Sequence, residues 1–374
     1  MKALILAGGF GTRLHPISCT RPKHLFPIAN KPLIDLTLER LAKCGVKEVV
    51  LAVNFMAHIL ENTLGESRHG MTLRYSRDVA LGRETKQLSQ GALGTGGSVK
   101  QAEKLLREKK SFFVLNGDIL TNSDYMKIME EHQNNEKIAT IALHRVKDPS
   151  RYGVVELKET NCIERFIEKP SENPPSNLAN AGIYIFNQEI FNYIPANKRC
   201  SIEREIFPKL AEEDELFGHE IKDLWIDVGK PADFIKANRL WLEAGMASNI
   251  NSMKARLGKN TEIKDSVAIE EDATIGQNSI IGPNVSLGKD VFVGYEVRIK
   301  DSIIFPHTII SDFTTINGSI IGESVSIGKK VKIERGCLIG DYALIHDNVT
   351  LAQNVKICPS KKISEDILKP TSIM

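Results

Sequence analysis

From Ile269 to Ile357 an aliphatic side chain returns every six residues: Ile269, Ile275, Ile281, Leu287, Val293 and Ile299, then Ile304, Ile310 and Ile316, then Ile321, Ile327, Ile333, Ile339, Ile345, Leu351 and Ile357. The two breaks in the series are one-residue slips. A helix repeats every ~3.6 residues and a strand every ~2, so neither produces this period. Each hexad is instead one short strand with its turn, and three make a triangular coil. Stacking the coils lines the aliphatic residues into an interior column, and the run is long enough for about five coils. Period alone leaves the handedness of the coil open.

The preceding residues have a different rhythm. Short apolar runs alternate with amphipathic stretches, the pattern of an α/β layered domain with a mainly parallel sheet. KALILA at 2–7 is the first strand. Leu33, Ile34, Leu36, Leu38, Leu41 and Ala42 lie at helical spacing, with Pro32 before them and Gly45 in capping position, which predicts a helix. Strands follow at VKEVVLAV and at 112–115, and the latter runs straight into Asn116, Gly117 and Asp118. A carboxylate at that end of a strand is where open α/β sheets bind ligands. The organisation expected is a domain at 1–242, a linker at 243–262, the repeat at 263–360 and a tail at 361–374, either a cap on the coils or partly disordered.

A chain of 374 residues is comfortable for two domains. Its formal charge of +2 supplies no general attraction for nucleic acid or acidic membrane, so any anion must be held locally. The six cysteines include no CxxC pair, and free thiols suit a reducing cytoplasm. The opening apolar run is too short for a signal sequence, and nothing approaches the ~20 apolar residues of a membrane helix.

The segment LAGGFGTRLHPISCTRPKHLFPIANKPLID follows the first strand. Glycines let backbone N–H groups approach phosphate oxygens, and Arg13 and Lys23 can neutralise the remaining charge. It is not a P-loop, which requires GxxxxGK and then Ser or Thr. Nor is it a dinucleotide fingerprint, because Leu14 stands where a third small residue is needed.

This stretch closely resembles the GxGTRLxPxTxxxPKxL signature of the sugar-1-phosphate nucleotidyltransferases. Further matches occur in that family's order: LGTGG at 93–97, LNGD at 115–118, YGVV at 152–155, FIEKP at 166–170, NAGIYIF at 180–186 and WIDVGKPADF at 225–234. The resemblance implies a Rossmann-like catalytic domain and, with the hexads, a left-handed parallel β-helix. It implies transfer of a nucleoside monophosphate from an NTP to a sugar 1-phosphate with release of pyrophosphate. NAGIYIF and WIDVGKPADF are most similar to the GDP-mannose pyrophosphorylase type, implying GTP and mannose 1-phosphate. ANKPLI is equally similar to long glucose-1-phosphate thymidylyltransferases, so glucose 1-phosphate with UTP or dTTP is the alternative. The stretch 78–91 is longer than the family leads one to expect.

Carried over residue by residue, the resemblance makes Asp118 and Asp227 ligands of one Mg²⁺. Arg13 and Lys23, with Gly11 and Thr12, would hold the triphosphate, and Lys169 would aim the sugar phosphate. Gly153, Glu168 and Asn180 would contact sugar hydroxyls, while Leu6, Gly8, Gly9, Gly94 and Asn116 would line base and ribose. No histidine is required as a base, because a phosphate monoester with a second pKa near ~6 is already ionised at neutral pH. Each assignment has a plainer rival: NGD is a good turn sequence, Lys169 adjoins a proline turn, and Gly94, Gly96 and Gly97 could form a flexible loop.

Two other functions fit parts of the chain. Many hexapeptide-repeat proteins are acyltransferases, for which His307 or His346 could serve as base, though neither lies in a long inserted loop. A non-catalytic scaffold is the other, and the presence of both carboxylates, Arg13 and Lys23 argues against it. Open coil ends and flat faces favour a homo-oligomer formed through the repeats.

Overall fold

The computed structural model describes residues 1–77, 93–107, 110–246 and 255–374, which form two compact units. The long stretch 78–91 and the middle of the linker therefore lie outside the described residues.

One unit comprises Met1–Phe10 and Ile34–Asp227. Its central strand, Lys2–Ala7, is flanked in parallel by Glu48–Val53 and Ser111–Asn116, and Met71–Arg77 continues the parallel set beyond Glu48–Val53. KALILA, EVVLAV and SFFVLN are nearly unbroken apolar runs, as strands covered on both faces require. On the other side the sheet turns antiparallel. Leu178–Asn187 pairs with Ser111–Asn116, Ala139–Arg145 and Gly153–Leu157, and Gly153–Leu157 pairs with Ile163–Glu168. The sheet thus has a parallel centre and a mainly antiparallel wing, to which Leu216–Glu220 adds in parallel beside Ala139–Arg145. The helix expected near residue 33 is Leu33–Lys43. Aromatic side chains fill the core beneath the wing, where Phe112 stacks on Phe191 and Tyr184 on Phe186.

The other unit comprises Gly11–Leu33 and Val228–Met374. Its repeat strands form three parallel stacks of seven, six and seven strands, and every residue of the six-residue series is buried in one interior column. At ~1.5–3 kcal/mol for each large aliphatic side chain removed from water, this column is the main source of the unit's stability. Corner residues adopt positive φ, among them Asn278, Asn284, Asp290, Asn348 and Asn354, and Asn and Asp tolerate that conformation best among residues with a side chain.

The ladders outrun both expected ends of the repeat. Arg256–Leu257 pairs with Thr274–Ile275, and within the segment set apart as a tail Lys362–Ile363 and Ser372–Ile373 each pair with a coil. Residue 363 extends the aliphatic column, so the stack simply continues. The glycine-rich segment 11–33 belongs to this unit as well. Phe26, fully buried, packs 5.2 Å from Phe234 and 6.1 Å from Phe305, ring centre to ring centre. Asn30 Nδ2 donates to the carbonyl of Leu287 at 2.8 Å.

Candidate active site

In the sheet unit, the parallel strands Lys2–Ala7 and Ser111–Asn116 end side by side, with Leu6 opposite Asn116. The amide of Gly117 donates to the Leu6 carbonyl at 2.9 Å, which prolongs the pairing by one residue into the NGD turn. Gly8 follows directly, and a side chain there would touch Asn54 at 3.4 Å. Leu6, Gly8, Gly9, Asn116, Gly117 and Asp118 therefore share the carboxyl edge of the parallel strands.

After the turn, Ile119–Thr121 pairs antiparallel with Trp225–Asp227, and Asp227 lies directly across from Ile119. Asp118 is the residue before Ile119, so the two acids stand at one end of a short ribbon, roughly 6 Å apart at their Cα atoms by ribbon geometry. Both are half-buried. The indole of Trp225 anchors the second strand by donating to the Ala181 carbonyl at 2.8 Å.

That contact leads into NAGIY. Strand register breaks between Asn180 and Tyr184, and Gly182 takes φ 71°. The Gly182 amide donates to Asn180 Oδ1 at 2.9 Å, and Asn180 Nδ2 donates to the Tyr184 hydroxyl at 3.0 Å. A Cβ on residue 182 would lie 2.7 Å from Asn116 Nδ2. Asn116 and Asn180 are thus brought together around a glycine that admits no side chain. Burial, followed by the Glu203 charge, holds the Tyr184 phenol well above its ordinary pKa, so it acts only as a neutral hydrogen-bonding group.

Gly153 pairs with Glu168 across the wing, and a Cβ at residue 153 would sit 2.9 Å from Glu168 Oε2. Lys169 adopts φ 51°, its amide donates to the Tyr152 carbonyl at 3.0 Å, and its ammonium lies 3.2 Å from Glu168 Oε1. Lys169, expected to aim the sugar phosphate, therefore clusters with Gly153 and Glu168, two of the three residues expected at the sugar hydroxyls.

LGTGG is not a flexible loop. Gly94 begins the helix Gly94–Gln101 at φ 69°. The Gly96 amide donates to the Cys200 carbonyl at 2.9 Å, and Thr95 Oγ1 donates to Glu203 Oε2 at 2.6 Å. Each glycine is closely met: a Cβ on Gly94 would lie 2.5 Å from the Cys200 carbonyl oxygen, one on Gly96 2.9 Å from the Cys200 Sγ, and one on Gly97 2.7 Å from the Leu93 Cβ. Glu203 lies in a π-helical turn, Ile202–Ile206. No sequence pattern singles out Thr95, Tyr184, Cys200 or Glu203, which support Gly94, Gly96 and Asn180. Tyr184 stood inside a quoted motif but reads as core, whereas Cys200 and Glu203 carry no local signal.

In the repeat unit, the signature turn is ordered by its own contacts. Gly11 takes φ 63°, and its carbonyl accepts from the Leu14 amide at 2.9 Å and from Ser18 Oγ at 2.7 Å. Its Cα faces Lys23, since a Cβ there would be 3.5 Å from that lysine's Cβ. Leu14 and Ile17 point inward while Thr12 and Arg13 face solvent. Gly11, Thr12, Arg13 and Lys23 are thus collected in one turn. His307 and His346 are exposed, and His307 turns a coil corner with φ 60° beside Asp290, 3.5 Å away.

A divalent ion suits the acid pair by donor chemistry. Among the described residues no three His, Cys, Asp or Glu side chains gather as a metal cage. Two half-buried carboxylates leave the remaining positions to water or phosphate oxygens, as small hard cations prefer.

Comparisons with known proteins point to one family. The family described as Nucleotidyl transferase matches residues 2–244, and the one described as GMPPB C-terminal domain matches 263–373. The mannose-1-phosphate guanyltransferase of Yarrowia lipolytica is 40% identical over 248 residues, 65% of each chain. The Dictyostelium discoideum mannose-1-phosphate guanylyltransferase catalytic subunit beta is 39% identical over 259 residues, 68% of this chain and 66% of that one. The match thus spans about two thirds of these relatives' length. Among solved structures, a putative glucose-1-phosphate thymidylyltransferase from Bacillus anthracis superposes with TM-score 0.56 at 28% identity, covering 64% of this chain and 94% of that one. HddC from Yersinia pseudotuberculosis, complexed with GMP-PN, gives 0.52 at 28%, covering 64% and 99%. With almost two thirds of its length matched by that catalytic family, this chain belongs to the nucleotidyl transferases.

Proposed function

We propose that the chain is a guanylyltransferase that joins GTP and mannose 1-phosphate into GDP-mannose and pyrophosphate. The observation that carries this reading is the ribbon register that seats Asp227 across from Ile119, next to Asp118. The choice of GTP and mannose is supported by relatives that bear the guanylyltransferase name at 39–40% identity.

A phosphate oxygen of the sugar 1-phosphate attacks the α-phosphorus, the bond from that phosphorus to the bridging oxygen breaks, and pyrophosphate leaves with the electron pair. The nucleophile is already an anion, so the protein's work is alignment and the cancelling of charge. Arg13 and Lys23 neutralise the triphosphate, and the backbone amides of the Gly11 turn donate hydrogen bonds to its oxygens. Lys169, steadied by Glu168, takes the sugar phosphate. Glu168, Asn180 and Gly153 receive the sugar hydroxyls, while Leu6, Gly8, Gly9, Gly94 and Asn116 line base and ribose. Asp118 and Asp227 would hold Mg²⁺, which would screen repulsion between the reacting phosphates.

We infer a cytoplasmic homo-oligomer formed through the repeats. Free thiols at all six cysteines support the compartment. The exposed Phe292, Tyr295, Ile309 and Phe313 on neighbouring coils support assembly. Among the described residues no helix is long and apolar enough to cross a membrane.

The test is a matrix of NTPs against mannose, glucose and glucosamine 1-phosphates, read by pyrophosphate release with and without Mg²⁺. Highest kcat/KM for GTP with mannose 1-phosphate is expected. A preference for dTTP or UTP with glucose 1-phosphate would replace the substrates, and no release with any pair would sink the reaction itself.

A further inference from the structure

The turn that carries Arg13 and Lys23 is tied to the repeat coils by a charged cluster outside the signature's own glycines and cations. Thr20 Oγ1 donates to Asp341 Oδ2 at 2.6 Å, and Arg21 Nη2 donates to the same oxygen at 2.7 Å and to Glu323 Oε2 at 2.6 Å. Asp341 is only 1% exposed. Its other oxygen, Oδ1, accepts the backbone amide of Glu323 at 2.8 Å and so holds a coil corner. Corner glycines and acids repeat this device elsewhere, as where Asp347 Oδ1 accepts the Lys329 amide at 2.8 Å. Only one oxygen of Asp341 serves the coil, and the second is given to the turn. The Arg21 guanidinium also lies over the buried Phe305 ring, 5.1 Å from its centre.

The rest of the segment is held to the same unit at a second place. Asn238 Oδ1 accepts from the Ala29 amide at 2.8 Å and from Ser286 Oγ at 3.1 Å, and Asn30 Nδ2 reaches the Leu287 carbonyl at 2.8 Å. Lys23 lies between the two fastenings, two residues after Arg21 and followed by buried Phe26. Two carboxylates close to a turn that receives polyphosphate would repel the ligand unless a cation neutralised them, and Arg21 is the residue bonded to both.

We propose that Arg21 is a positioning residue: gripped by Asp341 and Glu323 of the coils, it presets the 11–23 turn for a polyphosphate, which makes the β-helix a working part of nucleotide binding. This rests on the nucleotidyltransferase reading for its ligand class, though not on which base or sugar is used. A preset turn binds its anion without first being ordered, so the effect falls on affinity for the triphosphate rather than on the chemical step.

The test compares wild type with Arg21→Met, Arg21→Lys and Glu323→Gln in the full chain. Amide exchange of residues 11–33, the Kd for inorganic tripolyphosphate and the KM values for both substrates are measured. Arg21→Met should speed exchange in the turn and raise both the tripolyphosphate Kd and the NTP KM about tenfold. The sugar 1-phosphate KM should stay unchanged and kcat should change little. Arg21→Lys should recover part of the loss, because the charge is kept while the two-carboxylate grip is not. Glu323→Gln, on a side chain 29% exposed, should weaken tripolyphosphate about two- to threefold, and it carries the comparison should Arg21→Met not fold.

Unchanged exchange and unchanged Kd in Arg21→Met would overturn the proposal. So would equal losses in kcat and both KM values with no rescue by lysine. If the wild type binds tripolyphosphate and loses it on Arg21→Met, yet no NTP and sugar pair releases pyrophosphate, the positioning role stands and the reaction assignment fails.

Discussion

Gly94 meets the backbone of Cys200 so closely that a Cβ at residue 94 would lie 2.5 Å from the Cys200 carbonyl oxygen. The obstacle is backbone, not the end of a flexible side chain, and φ at residue 94 is 69°. Gly94→Ala must therefore shift the Cys200 segment or strain the helix start. A loss of about 1–3 kcal/mol is expected, visible as a lower Tm, together with weaker NTP binding by titration.

Asp118 and Asp227 are half-buried at one end of the ribbon, Asp227 lying across from Ile119, the residue after Asp118. Replacing either with Asn keeps the shape and removes a charge. Pyrophosphate release should fall by about 10²-fold or more, while Tm moves by only a few degrees. Retained activity in either variant would refute the metal role.

Ile316 is fully buried in the aliphatic column, whereas Ile309 is 47% exposed on the outside of a coil. Ile316→Ala leaves a cavity and should cost about 2–5 kcal/mol in denaturant unfolding. Ile309→Ala should stay within about 0.5 kcal/mol. The contrast checks that inward position, and not residue type, decides the effect.

His132 is 1% exposed, with Nδ1 2.9 Å from Thr140 Oγ1 and Nε2 3.0 Å from Asn187 Oδ1. Burial lowers its pKa below the ordinary histidine value, outweighing the Asn187 hydrogen bond. In the window between the lowered folded value and the unfolded value near ~6.5, the unfolded chain binds more protons than the native one. This residue's contribution is thus complete above that window and is lost as pH falls through it. Unfolding measured from neutral pH down toward 5 should show this slope, and His132→Gln should reduce it.

Asp35 is a depressed carboxylate of the other kind. Burial acts to raise its pKa, but the hydrogen bonds from Arg68 and His69 more than offset this and lower it. Its contribution is present above the unfolded value near ~3.9 and is lost as pH falls through the folded one. Asp35→Asn should therefore lower stability most at neutral pH and have little effect in strong acid, by denaturant unfolding at several pH values.

The hexad period by itself determined the aliphatic column, because a repeat of six can bury its apolar residue only by coiling, and each of those positions is indeed interior. The apolar strand running into NGD likewise placed Asp118 at the carboxyl edge of the parallel strands, since local pattern decides where a strand stops. Only the tertiary structure decided that Asp227 falls opposite Ile119, that Cys200 closes on Gly94, and that Arg21 spends its charge on Asp341, 320 positions away. Those relations join residues far apart in the chain, and no periodicity carries a register between such partners. It is set where separately formed elements pack, by which backbone can approach which and which buried charges must be paired.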